Sequence, residues 1–181
     1  MLGESGSSWV AVDDEVKPRI ERRFGMPWSR PAARTREYVS ALRAFWAAWN
    51  DGEKLNFRGD FYSHTLMPPF FSPPPSPGGA PKVLVAAVGE AMTRVAGEVA
   101  DGLLVHAFTT ERCLWEVTRP AIETELARSG RQRSDFSVSH LPLTATAGRK
   151  KRWRALADRA PMPCASRIPP AAELGRTPSD K

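Results

Sequence analysis

The run from Pro81 to Phe108 restricts the fold of this chain more than any other stretch. Val83 to Val88 is short, unbroken and rich in β-branched residues, the pattern of a strand buried on both faces. Gly89 ends it. From Glu90 to Ala100 the apolar residues Met92, Val95, Ala96 and Val99 follow a helical period and share one face. Asp101-Gly102 stops that helix, with Gly102 expected in the left-handed cap conformation that only glycine adopts without penalty. Leu103 to His106 then opens a second buried strand. Strand, turn, helix and strand in so few residues make a βαβ unit, which builds a parallel sheet through a right-handed crossover. The fold class is therefore α/β.

The same arrangement offers chemistry. A turn at Gly89 places a helix N-terminus at the carboxyl end of a strand. Unpaired amides and the positive end of the helix dipole gather there and suit a phosphate. Gly89 has no side chain to obstruct a ligand, whereas the carboxylate of Glu90 competes for the same donors. The alternative is that Gly89 only makes the turn, since one glycine is far less than a Gly-x-Gly-x-x-Gly fingerprint.

The flanking segments supply the rest of a layered domain. Trp9 to Val12 reads as a short strand, and Lys17 to Phe24 as an exposed turn. Ser29 and Pro31 signal a helix start, Ser29 as cap and Pro31 in the first turn. From Thr35 to Trp49, Tyr38, Leu42, Phe45, Trp46 and Trp49 form one apolar stripe, expected to pack on the sheet in preference to a partner protein. Asn50-Asp51-Gly52 stops this helix. Leu55 to Tyr62 alternates around Arg58-Gly59-Asp60 and predicts a β-hairpin outside the main sheet. Nothing else suggests that this triplet is an adhesion motif. Thr65 to Pro81 is proline-rich and predicts a stiff, extended connection, with recognition by an SH3-type domain as the lesser reading. Thr109-Thr110-Glu111 starts a further helix that Pro120 kinks or restarts, and Asp135 to Leu143 reads as another strand.

Charge has to be located before it means anything. The formal net charge is +6, and the segment from Arg149 to Lys181 carries nine basic and three acidic residues, so the whole excess lies there. The body is balanced and shows no nucleic-acid or membrane footprint. The basic segment lacks periodicity, keeps few large apolar residues and is expected to be disordered. A nucleic-acid-binding tail remains the alternative for it. No apolar run is long enough to span a bilayer, and Met1 to Ser8 does not read as a secretory signal. Cys113 and Cys164 fit neither a disulfide framework nor a metal site, which makes a reducing cytoplasm the default. His64, His106 and His140 show no metal-ligand spacing, and no metal is expected. His106 alone sits at the carboxyl end of a predicted parallel strand, where chemistry or plain solvent exposure both fit.

Phe57-Arg-Gly-Asp-Phe-Tyr62, the proline-rich run, Pro81-Lys-Val-Leu-Val-Ala-Ala-Val-Gly89 and Ala96-Gly-Glu-Val-Ala-Asp-Gly102 occur in an order that resembles the second half of the luciferase-like monooxygenase superfamily. Glu21-Arg-Arg-Phe-Gly-Met-Pro-Trp-Ser-Arg-Pro31 and the Trp-rich helix resemble its branch that uses the deazaflavin coenzyme F-420. The likeness covers Val16 to Thr146. It implies part of a (β/α)8 TIM-type barrel, strands four to seven with a hairpin insertion. It also implies an oxidoreductase that moves a hydride between a deazaflavin, or alternatively FMN, and a small organic substrate. By position, the resemblance assigns cofactor-phosphate binding to Ala87, Val88, Gly89 and Glu90, and the mouth of the substrate pocket to His106 and Phe108. It assigns no catalytic residue.

The departures from the family pattern matter as much. Such a barrel takes about 250 residues, and the first three strands have no counterpart here. The strand at Val10 to Val16 lacks the glycine-containing turn that usually follows it in the family. The basic segment stands where the last strand and helix belong. The domains are then a partial barrel over residues 1–148 and a tail over 149–181. Such a chain is expected to be a truncated, even non-catalytic, remnant or to need a second copy or another chain to complete its barrel.

Overall fold

The computed structural model of the chain describes residues 8–13, 16–107 and 109–140. The basic segment from Arg149 to Lys181 and the last residues of the expected final strand lie outside them.

Four strands form one sheet: β1 (Trp9–Val12), β4 (Lys82–Ala87), β5 (Gly102–Val105) and β6 (Ser137–His140), in that spatial order and all parallel. The α/β reading and its parallel βαβ unit are what the chain adopts. β4 runs Val83, Val85 and Ala87 inward and leaves Leu84 and Ala86 half-buried. The strand is therefore covered on one face, not on both as its continuous apolar run suggested. The covered face continues across the register, with Val12 opposite Val85, Leu103 opposite Val85 and Val105 opposite Ala87. Among the described residues, helices line that face only. α2 (Glu90–Val99) packs on β4 and β5, with α1 (Pro31–Asn50) on one side and α4 (Arg119–Arg128) on the other. Val39, Val83, Val85, Ala96, Leu103, Ile122 and Phe136 belong to this core. Full burial of the valine, leucine, isoleucine and phenylalanine side chains among them contributes about 1.5–3 kcal/mol each.

Gly102 corrects the sequence reading. α2 ends at Ala100 in extended backbone, and Gly102 is the first residue of β5, not a left-handed cap. A Cβ there would lie 2.5 Å from Leu84 Cδ2 and 2.6 Å from the Ser137 carbonyl oxygen. Glycine is required by the approach of neighbouring strands, not by dihedral freedom. Asp101 beside it ties the amino ends of three strands. Its carboxylate accepts from the Val83 amide at 2.8 Å and from Arg43 at 3.1 Å, and its carbonyl accepts from the Ser137 amide at 3.0 Å. Gly97 on α2 lies against α4, where a Cβ would sit 3.0 Å from Glu125 Cβ.

The aromatic stripe on α1 splits. Leu42 and Trp46 pack against the core, but Tyr38 and Phe45 face the hairpin formed by β2 (Phe57–Arg58) and β3 (Ser63–His64), and Trp49 faces the segment just after it. Phe45 meets the His64 ring at 5.0 Å, Tyr38 meets Tyr62 at 5.7 Å, and Trp49 Nε1 donates to Met67 Sδ. The helix is buried along two lines, and 3.6-residue periodicity alone did not separate them. Ser29 does not cap it either. The N-cap is Arg30, in left-handed backbone, and Ser29 Oγ accepts from Arg34. Pro31 does occupy the first turn.

α3 (Glu111–Cys113) begins with Thr110 Oγ1 accepting from the Cys113 amide. A π-helical stretch, Leu114–Thr118, then joins it to α4. The widened turn ends two residues before Pro120, which lacks an amide to donate and falls in the first turn of α4, so the helix restarts there. Cys113 is buried at the end of α3, and Cys164 lies outside the described residues. Among the described residues no helix is long and apolar enough to cross a membrane.

Candidate functional site

The carboxyl ends of the four strands form one edge of the domain. The register pairs Ala87 with Val105 and Val105 with His140. One step beyond these pairs lie Val88 and His106. The sheet thus gathers at this edge the turn singled out in the sequence, His106, and His140, which sequence spacing had set apart. His64 is elsewhere, half-buried in the aromatic layer between α1 and the hairpin. No group of three or more histidine, cysteine or acidic residues among the described residues is arranged to hold a metal.

Ala87 is buried at the end of β4, Val88 is 43% exposed, and Gly89 is the half-buried N-cap of α2. Gly89 has extended backbone, φ −103° and ψ 159°, which any residue can adopt. Its value is the missing side chain and not an unusual conformation. No side chain among the described residues caps this helix. The competition expected from Glu90 is reduced, because its Oε1 accepts from Arg94 at 2.6 Å one turn on. The first-turn amides and the dipole of a ten-residue helix therefore meet at an uncapped end, a geometry suited to a phosphate. His106 is exposed beside it, and Phe108 lies outside the described residues.

A second feature at the same edge escaped the sequence reading. The tip of the β2–β3 hairpin climbs along α1 to its N-terminal half. Glu37 holds it there: Oε1 accepts from the Phe61 and Tyr62 amides, both at 2.7 Å, and Oε2 from the Asp60 amide at 3.0 Å. Desolvation pushes the Glu37 carboxyl up, but the Tyr62, Phe61 and Asp60 amides and the Arg30 charge outweigh it and hold the group below its ordinary value. A side chain at Gly59 would collide with the Glu37 carboxylate. This clamp brings Tyr62 to a cavity of about 310 Å3 beside the end of β1, also lined by Asp13, Arg34, Thr35 and Tyr38. Only the glycine in Arg58-Gly59-Asp60 hinted at a fixed tip, and nothing in the sequence paired it with Glu37.

A parallel α/β domain with an open helix N-terminus and a small cavity at its carboxyl edge is the layout of a small-molecule enzyme site. The family follows from comparison: the luciferase-like monooxygenase model matches residues 14–175, and the chain belongs to that family. The match runs into the basic segment that the sequence reading set apart as a tail. An uncharacterized protein of Mycobacterium tuberculosis, Rv1360, is 55% identical over 137 residues, covering 76% of this chain and 40% of its own length. An F420-dependent glucose-6-phosphate dehydrogenase of Intrasporangium calvum is 30% identical over 135 residues, covering 75% of this chain and 33% of its own. The solved coenzyme F420-dependent tetrahydromethanopterin reductase of Methanopyrus kandleri superposes with a TM-score of 0.56 at 20% identity, over 72% of this chain and 39% of that one. The shared fold is thus that of part of a longer chain. The chain spans about 40% or less of the length of these relatives, and its described strands form an open four-stranded sheet.

Proposed function

We propose that this chain is the cofactor-phosphate half of a coenzyme F-420-dependent oxidoreductase acting on a small organic substrate. The observation that carries the reading is the uncapped N-terminus of α2 at the carboxyl end of β4. In it the amides of Gly89 and Glu90 receive the cofactor's phosphate, with Ala87 and Val88 as the floor of the turn. Arg94 draws the Glu90 carboxylate aside. When bound, the deazaflavin supplies a two-electron hydride acceptor or donor. His106 and Phe108 stand at the mouth of the substrate pocket in this reading. The reading covers only the part of the relatives that this chain matches, 40% or less of their length.

A titration of coenzyme F-420 followed by its fluorescence tests the assignment. The wild-type chain should bind at micromolar concentration. Gly89→Asp places a carboxylate at the N-cap, which favours the helix by a few tenths of a kcal/mol but repels phosphate. It should weaken binding about tenfold or more, some 1.4 kcal/mol, with the thermal midpoint unchanged or raised. Equal affinity in both proteins would refute the phosphate seat. Absence of saturable binding by the wild type would favour a non-catalytic remnant.

A further inference from the structure

The cavity beside β1 contains an unusual cation. Along α1 and its N-cap, Arg30 pairs with Asp60 at 3.4 Å, Arg36 with Glu98 at 2.7 Å, and Arg43 with Asp101 at 3.1 Å. Arg34 has no carboxylate partner among the described residues. It is half-buried, lines the cavity, and is held by Ser29 Oγ at 3.2 Å and by the Phe61 ring, 4.9 Å below its guanidinium carbon. Its charge is thus positioned from behind and unmatched in front. A guanidinium in such a place presents a fork suited to an oxyanion.

The other lining groups narrow the ligand. Tyr38 and Tyr62 bring two aromatic faces and two hydroxyls, and Thr35 brings a further hydroxyl from α1. Asp13, at the end of β1, lines the same cavity and accepts hydrogen bonds but repels a second negative charge. A dianionic phosphate is disfavoured beside it. A monoanion that also carries a hydroxyl donor satisfies both ends. The volume of about 310 Å3 lies at the small end of ligand sites.

We propose that this cavity is a binding site for a small hydroxylated or aromatic carboxylate, with Arg34 receiving the carboxylate, Asp13 the hydroxyl, and Tyr38 and Tyr62 the body of the molecule. Glu37 is a positioning residue, because it fixes the hairpin tip that carries Tyr62. The site is separate from the α2 N-terminus and does not depend on the oxidoreductase reading.

Calorimetric titration of the full 181-residue chain with 4-hydroxybenzoate tests it, with methyl 4-hydroxybenzoate and inorganic phosphate as parallel probes. The acid should bind saturably in the millimolar range or tighter, the ester and phosphate at least tenfold more weakly. Arg34→Gln should lose tenfold or more, Arg34→Lys less, and Tyr62→Phe a few-fold. Arg112→Gln, on α3 and remote from the cavity, should leave binding unchanged. The comparison of acid with ester on the wild type needs no variant to fold. Equal binding of acid and ester, tighter binding of phosphate, or full affinity in Arg34→Gln would overturn the proposal. So would the absence of saturable binding of the acid up to 10-fold above about 1 mM.

Discussion

Gly102 shows how one residue can be identified correctly in a sequence for the wrong reason. Aspartate-glycine after a helical period reads as a cap, because glycine is the residue that turns left-handed at helix ends. The helix instead ends by extending at Ala100, and Gly102 is squeezed between Leu84 and the Ser137 carbonyl. The spatial cause lies in residues 18 and 35 positions away, which no local pattern contains. Gly102→Ala must push Leu84 or the β6 backbone aside, and backbone gives way less readily than a side chain. We expect a loss of about 1–3 kcal/mol, measured by urea unfolding. A neutral variant would mean that β5 and β6 can separate at this end without cost. Gly89 is the opposite case. Its position was legible because strand, turn and helix are local, yet its extended dihedrals show that conformational freedom is not what glycine provides there.

Elements were legible where burial follows one periodicity and obscure where it follows two. β4, α2 and β5 each have one covered face, and their bounds fall within a residue or two of those expected. α1 has two covered lines, one against the core and one against the hairpin, and its stripe therefore read as a single face. The hairpin is attached to α1 through Glu37, whose depressed pKa sets a pH dependence. A group held below its ordinary value of 4.5 contributes stability that is present above that value and lost as pH falls through the folded-state pKa. The thermal midpoint of the wild type should therefore drop on acidification below 4.5 by more than that of Glu37→Gln, which has no charge to lose. Parallel pH profiles would show that the clamp is unimportant. At neutral pH the glutamine variant should expose the tip, read as faster protease cleavage between Asp60 and Tyr62.

On the scale of the whole molecule, the described helices cover the sheet on one side only. Ala11 is exposed and Leu84, Ala86 and Leu104 are half-buried on the other face. β1 and β6 each have one edge without a strand among the described residues. Free edges beside apolar surface template association with other chains. The 181-residue protein alone should therefore show concentration-dependent assembly in light scattering and irreversible heating. A monodisperse monomer with a reversible transition would contradict this. The partial-barrel reading came from motif order, which sequence preserves well. Whether the strands close on themselves depends on sheet edges, about which the order of motifs says nothing.

The strand order β1-β4-β5-β6 also has a temporal side. β4 meets β5 across one short helix, but β1 must wait for β4, with α1, the hairpin and the proline-rich run all lying between them in the chain. Loop closure over that span makes β1 the costliest strand to recruit and the first to leave. Amide protons of β4 and β5 should then exchange with deuterium only on global unfolding, while those of β1 escape through a local opening that takes Asp13 away from Arg34. A domain wired in this way would empty its Arg34 cavity by shedding one strand, long before its core comes apart.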